Sequence, residues 1–126
     1  MDRVSFSMEF LFRASTTIIY KFITTPDCLI RWFCDECNVV DGVYKFDWDG
    51  EIEEATILED IENELLKLEW EEYADEDEYL EFRISRSEVT GETILLITAF
   101  CDADEVDQEK QFWQTQMEGL KRASGG

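Results

Sequence analysis

The segment that follows the last strand-like run constrains the fold most, because its large residues recur at helical spacing. Val106, Lys110, Trp113, Met117 and Leu120 are three or four residues apart. Such spacing places side chains along one side of an α-helix. Acidic residues begin the segment and basic residues end it, as the helix dipole favours. We therefore predict one long C-terminal helix that covers a sheet.

Strand-like alternation occupies most of the chain before that helix. Val4, Phe6, Met8, Phe10 and Phe12 share one face of a first strand. Further strands are predicted within residues 44–48, 52–61, 66–70, 80–84 and 93–101, with hairpin turns at 41–42 and 49–50. Residues 93–101 are apolar at nearly every position, which predicts a central strand covered on both faces or nearly so. Residues 71–78 are so acidic that we expect a solvated hairpin loop.

Two short helices are predicted after the first strand. Ser15 or Thr16 can cap a helix that ends near Thr25, because Pro26 disfavours helical geometry in the residue before it. Pro26 then suits the first turn of a second helix, which we expect to reach Phe33. The predicted fold is thus α+β, with about six or seven antiparallel strands in one domain over residues 1–126 and a frayed tail at 123–126.

The charge of the chain excludes several classes of partner. Its 126 residues include 31 acidic and 11 basic side chains, for a formal charge of −20. Such a field repels nucleic acids and anionic membranes, so we predict no nucleic-acid binding. The sequence contains neither a signal-like N-terminal stretch nor an apolar run long enough for a bilayer. We therefore expect a cytoplasmic protein without membrane insertion.

Most catalytic and cofactor sites lack their usual residues in this sequence. The chain has no histidine, and its glycines form no phosphate-binding loop, so we predict no catalytic residue and no cofactor. Cys34 and Cys37 have the spacing of a redox or zinc motif, but acidic neighbours should raise their thiol pKa values. We predict structural cysteines and no metal site. The acidic turns at 47–50 and 102–104 likewise lack the remaining ligands of a calcium loop.

Aromatic residues give the best indication of a function. The chain has nine Phe, four Trp and four Tyr, more than a flat two-layer domain of this size needs. A cleft between a curved sheet and a helix is a typical small-ligand site, although the same residues could form a solid core. The predicted cavity residues are Phe10, Trp32, Phe33, Tyr44, Phe46, Trp48, Trp70, Phe82, Phe100, Trp113, Met117 and Leu120. Candidate polar groups of the cavity are Arg13, Tyr20 and Arg83.

The order of these elements resembles the helix-grip arrangement of START-like (SRPBCC) domains. More narrowly, the chain resembles the small bacterial branch related to the activator of Hsp90 ATPase homologue family. The matching segments are residues 6–15, Pro26 with Trp32-Phe33, residues 42–50, residues 66–70, and Phe112-Trp113 with Leu120. The resemblance implies a curved sheet wrapped around the last helix and a hydrophobic cavity. In relatives that cavity holds lipids, polyketides or other apolar molecules, and some relatives bind chaperones.

Three functions remain open from the sequence. The first is a non-enzymatic module that binds a small apolar ligand between the sheet and the C-terminal helix. The second is a protein-interaction module, similar to a chaperone accessory, whose acidic surface around residues 51–81 meets a basic partner. The third is an enzyme that uses cavity carboxylates such as Glu54, which would require a buried carboxylate with a raised pKa.

Overall fold

The computed structural model describes residues 2–126 and contains seven strands and three α-helices in that range. In chain order they are β1 (Arg3–Phe12), α1 (Thr16–Thr24), α2 (Pro26–Leu29), β2 (Glu36–Val40), β3 (Val43–Trp48), β4 (Glu51–Ile61), β5 (Leu65–Trp70), β6 (Leu80–Arg86), β7 (Thr93–Asp102) and α3 (Val106–Ser124). Short 3-10 turns at Glu71–Tyr73 and Ala103–Glu105 follow β5 and β7.

The seven strands form one antiparallel sheet in the order β1-β7-β6-β5-β4-β3-β2. The first and last strands are therefore neighbours, and the remaining strands follow as successive hairpins. Asp41-Gly42 and Asp49-Gly50 make two of the tight turns, with φ values of 52° and 77° in the first and 52° and 90° in the second. Positive φ at both positions matches the twist of the flanking strands, and Gly or Asp tolerates it best.

One face of the sheet and the helices enclose the core. Alternate residues of each long strand point to this concave face, so that Phe6 and Phe12 of β1 lie on the same side as Leu95 and Ile97 of β7. From α3, the buried residues are Trp113, Met117 and Leu120. Ser15 caps α1 by accepting a hydrogen bond from the Ile18 N–H. The predicted α+β helix-grip fold is thereby confirmed.

One strand was missed, and the covering of another can now be described in detail. Strand β2 was missed because it is an edge strand whose residues are mostly exposed, so its sequence has no apolar alternation. Strand β7 lies between β1 and β6, and its residues alternate between buried and half-buried along its whole length, so that one face is covered fully and the other in part. Apolar residues on the half-buried face fit a pleated surface well without a second layer, which explains the continuous apolar run.

The predicted end of the second helix was wrong. Helix α2 ends at Leu29, and the chain then turns so that the N–H groups of Trp32 and Phe33 both donate to the Leu29 carbonyl. The segment 123–126, predicted to be a frayed tail, includes the last turn of α3, which continues through Ser124 and ends at Gly125, whose φ is 93°. The Arg13 N–H donates to the Gly126 carbonyl at 2.6 Å, which ties the chain end to the start of α1. A glycine in left-handed geometry is a common helix terminator.

The burial of α3 predicts a large stability loss when its apolar stripe is shortened. Leu120 has an exposed fraction of 0%, so Leu120→Ala should lower the free energy of unfolding by about 2–5 kcal/mol through lost burial and a residual cavity. Gln114→Ala, at an exposed site on the same helix, is the matched control and should change stability little. Chemical denaturation measures both variants. Equal stabilities would show that α3 does not anchor the core.

Candidate functional site

An open cleft of about 860 Å³ lies beside the N-terminal half of α3. Strands β1 and β3 to β7 contribute residues near their ends, and the segment between β5 and β6 contributes residues 71–73 and 78–79. Its aromatic lining residues are Phe33, Trp48, Trp70, Tyr73, Tyr79, Phe100, Phe112 and Trp113. The volume falls within the range of about 300–1,000 Å³ that is usual for small-molecule pockets.

The structure brings five of the twelve predicted cavity residues to this cleft. These five are Phe33, Trp48, Trp70, Phe100 and Trp113. The other seven belong to the packed interior, where Phe10 is half-buried and the remaining six are buried: Trp32, Tyr44, Phe46, Phe82, Met117 and Leu120. The space between sheet and helix is therefore filled along most of α3 and open beside its first turns.

Phe33 holds the aromatic floor of the cleft in place. Its ring packs edge-on against Phe46 at 5.1 Å and Trp48 at 5.2 Å, and stacks with Trp113 at 5.9 Å between centroids. Its carbonyl accepts hydrogen bonds from Trp48 Nε1 at 2.7 Å and Gln116 Nε2 at 3.0 Å. One turn residue thus fixes side chains of both β3 and α3. The floor is consequently preformed.

The three predicted polar groups lie elsewhere. Arg13 is exposed, and its side chain lies against Gly126. Arg83 alternates away from buried Phe82 and lies 3.5 Å from Glu81 on the outer face of the sheet. The Tyr20 hydroxyl donates a hydrogen bond to Asp60. Burial is the main cause that raises the pKa of Tyr20 to about 12, and this hydrogen bond is the second. None of these three side chains is among those that line the cleft.

Arg3 is the basic residue of the cleft, and sequence reasoning missed it. Its guanidinium makes a bidentate pair with Glu78 at 2.7 and 3.0 Å, donates to Asp102 at 3.1 Å and lies 4.0 Å from the centre of the Tyr73 ring. Glu78 is only 8% exposed, although its neighbours in the acidic segment are mostly exposed. The Glu78 hydrogen bond is the main cause that raises the pKa of Arg3. The acidic segment between β5 and β6 is thus attached to β1 through the Glu78 carboxylate.

Glutamates supply most of the polar lining. Glu51 and Glu53 share the concave face with buried Ala55, because side chains two apart in a strand point the same way, whereas Glu54 alternates to the other face. Partial burial raises the pKa of Glu53, and repulsion from Glu72, Glu51 and Glu109 raises it further. Burial likewise raises the pKa of half-buried Glu109 on α3. Carboxylates from strand, loop and helix therefore face one another across the cleft.

The four cysteines are free thiols, and three of them are buried. A hydrogen bond between the Cys34 and Cys37 thiols raises the pKa of Cys34 and lowers that of Cys37. The expectation that acidic neighbours raise both values is therefore wrong for Cys37. Cys101 lines the cleft, and burial raises its pKa.

Within residues 2–126, three or more potential metal-binding side chains lie close together in one place. This group contains no cysteine. It consists of Asp102, Asp104 and Glu105, whose ligand oxygens lie within 4.8 Å of one another. A hydrogen bond to Asp102 is the main cause that raises the pKa of Glu105. Acidic residues at a strand-to-helix turn often cluster in this way without an ion.

A curved antiparallel sheet packed around one long C-terminal helix, with an open cleft beside that helix, defines a helix-grip protein. The START-like superfamily domain model matches residues 1–126, and the chain belongs to this superfamily. Among curated proteins, none is significantly similar to this chain in sequence. No helix within residues 2–126 has both the length and the apolar character needed to span a bilayer.

Several solved structures share the fold. A Bacteroides fragilis protein solved by NMR is 32% identical, with 97% of this chain and 91% of that chain covered and a TM-score of 0.69. The Aha1 dimer from Colwellia psychrerythraea is 20% identical, with 96% of each chain covered and a TM-score of 0.82. An AHSA1-like protein from Aeromonas hydrophila is 17% identical, with 95% and 91% covered and a TM-score of 0.75. The resemblance to START-like domains is thus confirmed by the family match, and the Aha1 and AHSA1-like structures share the fold of this chain.

The half-buried carboxylate of α3 predicts a stabilising substitution. The folded state raises the pKa of Glu109, so ionisation of this group opposes folding at neutral pH. Glu109→Gln should therefore raise the free energy of unfolding by about 0.5 kcal/mol at pH 7, after allowance for solvent screening. The gain should vanish below pH 4.5, where the carboxyl is protonated in both states. Thermal unfolding at several pH values measures it.

Glu118→Gln is the matched control, because Glu118 is an exposed residue on the same helix. It changes the net charge by the same unit without relieving burial. A stability gain for Glu118→Gln equal to that for Glu109→Gln would assign the effect to overall charge. It would contradict a local penalty in the cleft.

Proposed function

We propose that this protein is a non-enzymatic START-like domain that binds a small hydrophobic molecule in the cleft beside α3. The observation that carries the proposal is a preformed cleft of about 860 Å³ whose floor contains three indole rings. Trp48 and Trp70 are 6.1 Å apart between centroids, and Trp113 stacks on Phe33 behind them. Exposed aromatic surface in a concave site favours an apolar ligand that removes it from water.

The chemistry of the cleft supports binding rather than catalysis. The sequence has no histidine, the commonest general base at neutral pH. Among the described residues, the hydrogen bonds join no cleft glutamate to a Ser, Thr or Tyr hydroxyl that it could activate. The Cys101 thiol has a raised pKa, and a protonated thiol is a weak nucleophile. The side chains of the cleft therefore suit contact with a ligand better than proton or group transfer.

Binding of a neutral apolar dye tests the proposal. N-phenyl-1-naphthylamine should gain fluorescence on entering the cleft, and Phe112→Ala should weaken its binding about tenfold by removing an aromatic contact at the mouth. Phe112 is 43% exposed, so its truncation should leave the core intact. The matched control is Leu11→Ala, because Leu11 has the same 43% exposure but does not line the cleft. Absent dye binding, or equal loss in both variants, would contradict the proposal.

A second candidate is a protein-interaction module that binds a basic partner. The supporting observation is the run of exposed carboxylates at Glu71, Glu72, Asp75, Glu76 and Asp77 beside the cleft. Association through such a surface should be fast and should weaken strongly with added salt. Native mass spectrometry of the protein purified from its own host separates the two candidates. A copurified small molecule supports ligand binding, and a copurified basic protein supports the interaction module.

A further inference from the structure

The charges that line the cleft are mainly negative, and an uncharged ligand would form no ion pair with them. Its lining includes eight glutamates and one arginine. The arginine is already engaged, because Arg3 pairs with both Glu78 and Asp102. The remaining glutamates are Glu51, Glu53, Glu54, Glu71, Glu72, Glu105 and Glu109, of which Glu54 directs its side chain to the other face of β4. Within residues 2–126, no lysine or arginine forms a salt bridge with any of these seven.

The carboxylates lie close enough to repel one another. Repulsion from Glu72, Glu51 and Glu109 contributes to the raised pKa of Glu53, although these four residues come from β4, the 3-10 turn after β5 and α3. Their convergence is therefore a product of the tertiary fold and not of a local acidic run. Like charges held together across a concave surface lower the free energy of a cation placed between them.

The carboxylates also adjoin the aromatic floor. In the β3–β4 ladder, Trp48 pairs with Glu51 and Phe46 pairs with Glu53, so that each aromatic residue has a carboxylate directly opposite. Opposite residues of an antiparallel pair have Cβ atoms about 4.5–5.5 Å apart. A ligand that rests on the Trp48 ring therefore has carboxylates within reach of one end. Indole faces themselves attract organic cations.

From this juxtaposition we infer that the cleft binds an amphiphilic organic cation, in which an amine or quaternary ammonium is attached to an apolar or aromatic body. Glu53 and Glu109 hold the charge, and Trp48 and Trp70 hold the body. This inference rests on the proposed ligand-binding function and narrows it to one chemical class. A bare metal ion would gain nothing from the aromatic floor, and a neutral apolar molecule would gain nothing from the carboxylates.

Proton linkage follows from the same arrangement. A bound cation favours the ionised carboxylates, so at acidic pH binding should release protons from Glu53 and Glu109, whose pKa values are raised in the folded protein. The affinity should be constant at neutral pH and should fall as the pH decreases through those raised values toward 4.5. A neutral ligand should show no such dependence.

Three probes with the same ring and different charge test the inference. They are 1-naphthylmethylammonium, 1-naphthalenemethanol and 1-naphthoate, each titrated by isothermal calorimetry at fixed ionic strength. The ammonium should bind about tenfold more tightly than the alcohol, and the carboxylate should bind least. Glu53→Gln and Glu109→Gln should each weaken ammonium binding about fivefold and leave alcohol binding unchanged.

The controls are Glu9→Gln on the outer face of β1 and Glu118→Gln on the exposed side of α3. Each removes one negative charge from the protein without touching the cleft. Preserved ammonium affinity in the two controls and its loss in the two cleft variants would support the inference. Equal losses in all four variants would overturn it, because general attraction to an acidic protein would then suffice.

The remaining outcomes separate this inference from the proposed function. Equal binding of the ammonium and the alcohol, weakened by Phe112→Ala but not by Glu53→Gln, would overturn the preference for a cation and leave apolar ligand binding supported. If none of the naphthyl probes and no neutral dye binds the folded protein, both the proposed function and the inference fail.

Discussion

The packing of Trp113 against Phe33 is the contact on which the rest of the structure depends. The two rings stack with centroids 5.9 Å apart and join α3 to the turn that leads into the sheet. Phe33 also packs on β3 through Phe46, and its carbonyl receives hydrogen bonds from both β3 and α3. Below this contact, Met117 and Leu120 are buried against the sheet. On the N-terminal side of this contact, α3 lines the cleft through Gln108, Glu109 and Phe112.

The residues of α3 that stabilise the fold and the residues of α3 that line the cleft lie in different halves of the helix. The C-terminal half of α3 carries the fully buried residues, and its N-terminal half supplies Gln108, Glu109 and Phe112 to the cleft. Carboxylates that repel one another there oppose folding, while the packed half of the helix offsets that cost. Binding surfaces commonly keep such locally unfavourable groups, because a ligand relieves them. The acidic cleft is thus tolerated by a core that does not depend on it.

The sequence was sufficient for the fold because the fold depends on periodic burial. Alternation in β1 and the spacing of Trp113, Met117 and Leu120 each follow from one face being buried, and Asp41-Gly42 has the residues that positive φ requires. The exposed edge strand β2 was missed because an edge strand need not bury a face. The site was predicted only in part. Periodicity shows which face a residue occupies, but it cannot show where along α3 the packing ends.

The polar groups of the cleft were beyond sequence reasoning for a different reason. Arg3 and Glu78 are 75 residues apart and meet only because β1 pairs with β7 and the loop folds back. Glu53 and Glu109 likewise come together through tertiary structure. The resemblance to START-like domains indicated a cavity, but it did not indicate which polar residues line that cavity. Strand alternation could have predicted two of these carboxylates, because Glu51 and Glu53 lie on the same face of β4 as buried Ala55 and thus face the helix.

The indole N–H resonances of the four tryptophans give the most direct measurement of where the interior is open. Trp48, Trp70 and Trp113 line the cleft, whereas Trp32 is buried in the core with its Nε1 bonded to the Phe22 carbonyl at 2.8 Å. Titration with N-phenyl-1-naphthylamine in a heteronuclear NMR experiment should shift the first three resonances and leave that of Trp32 in place. A shift of Trp32 alone, or no shift at all, would show that the cleft is not the binding site.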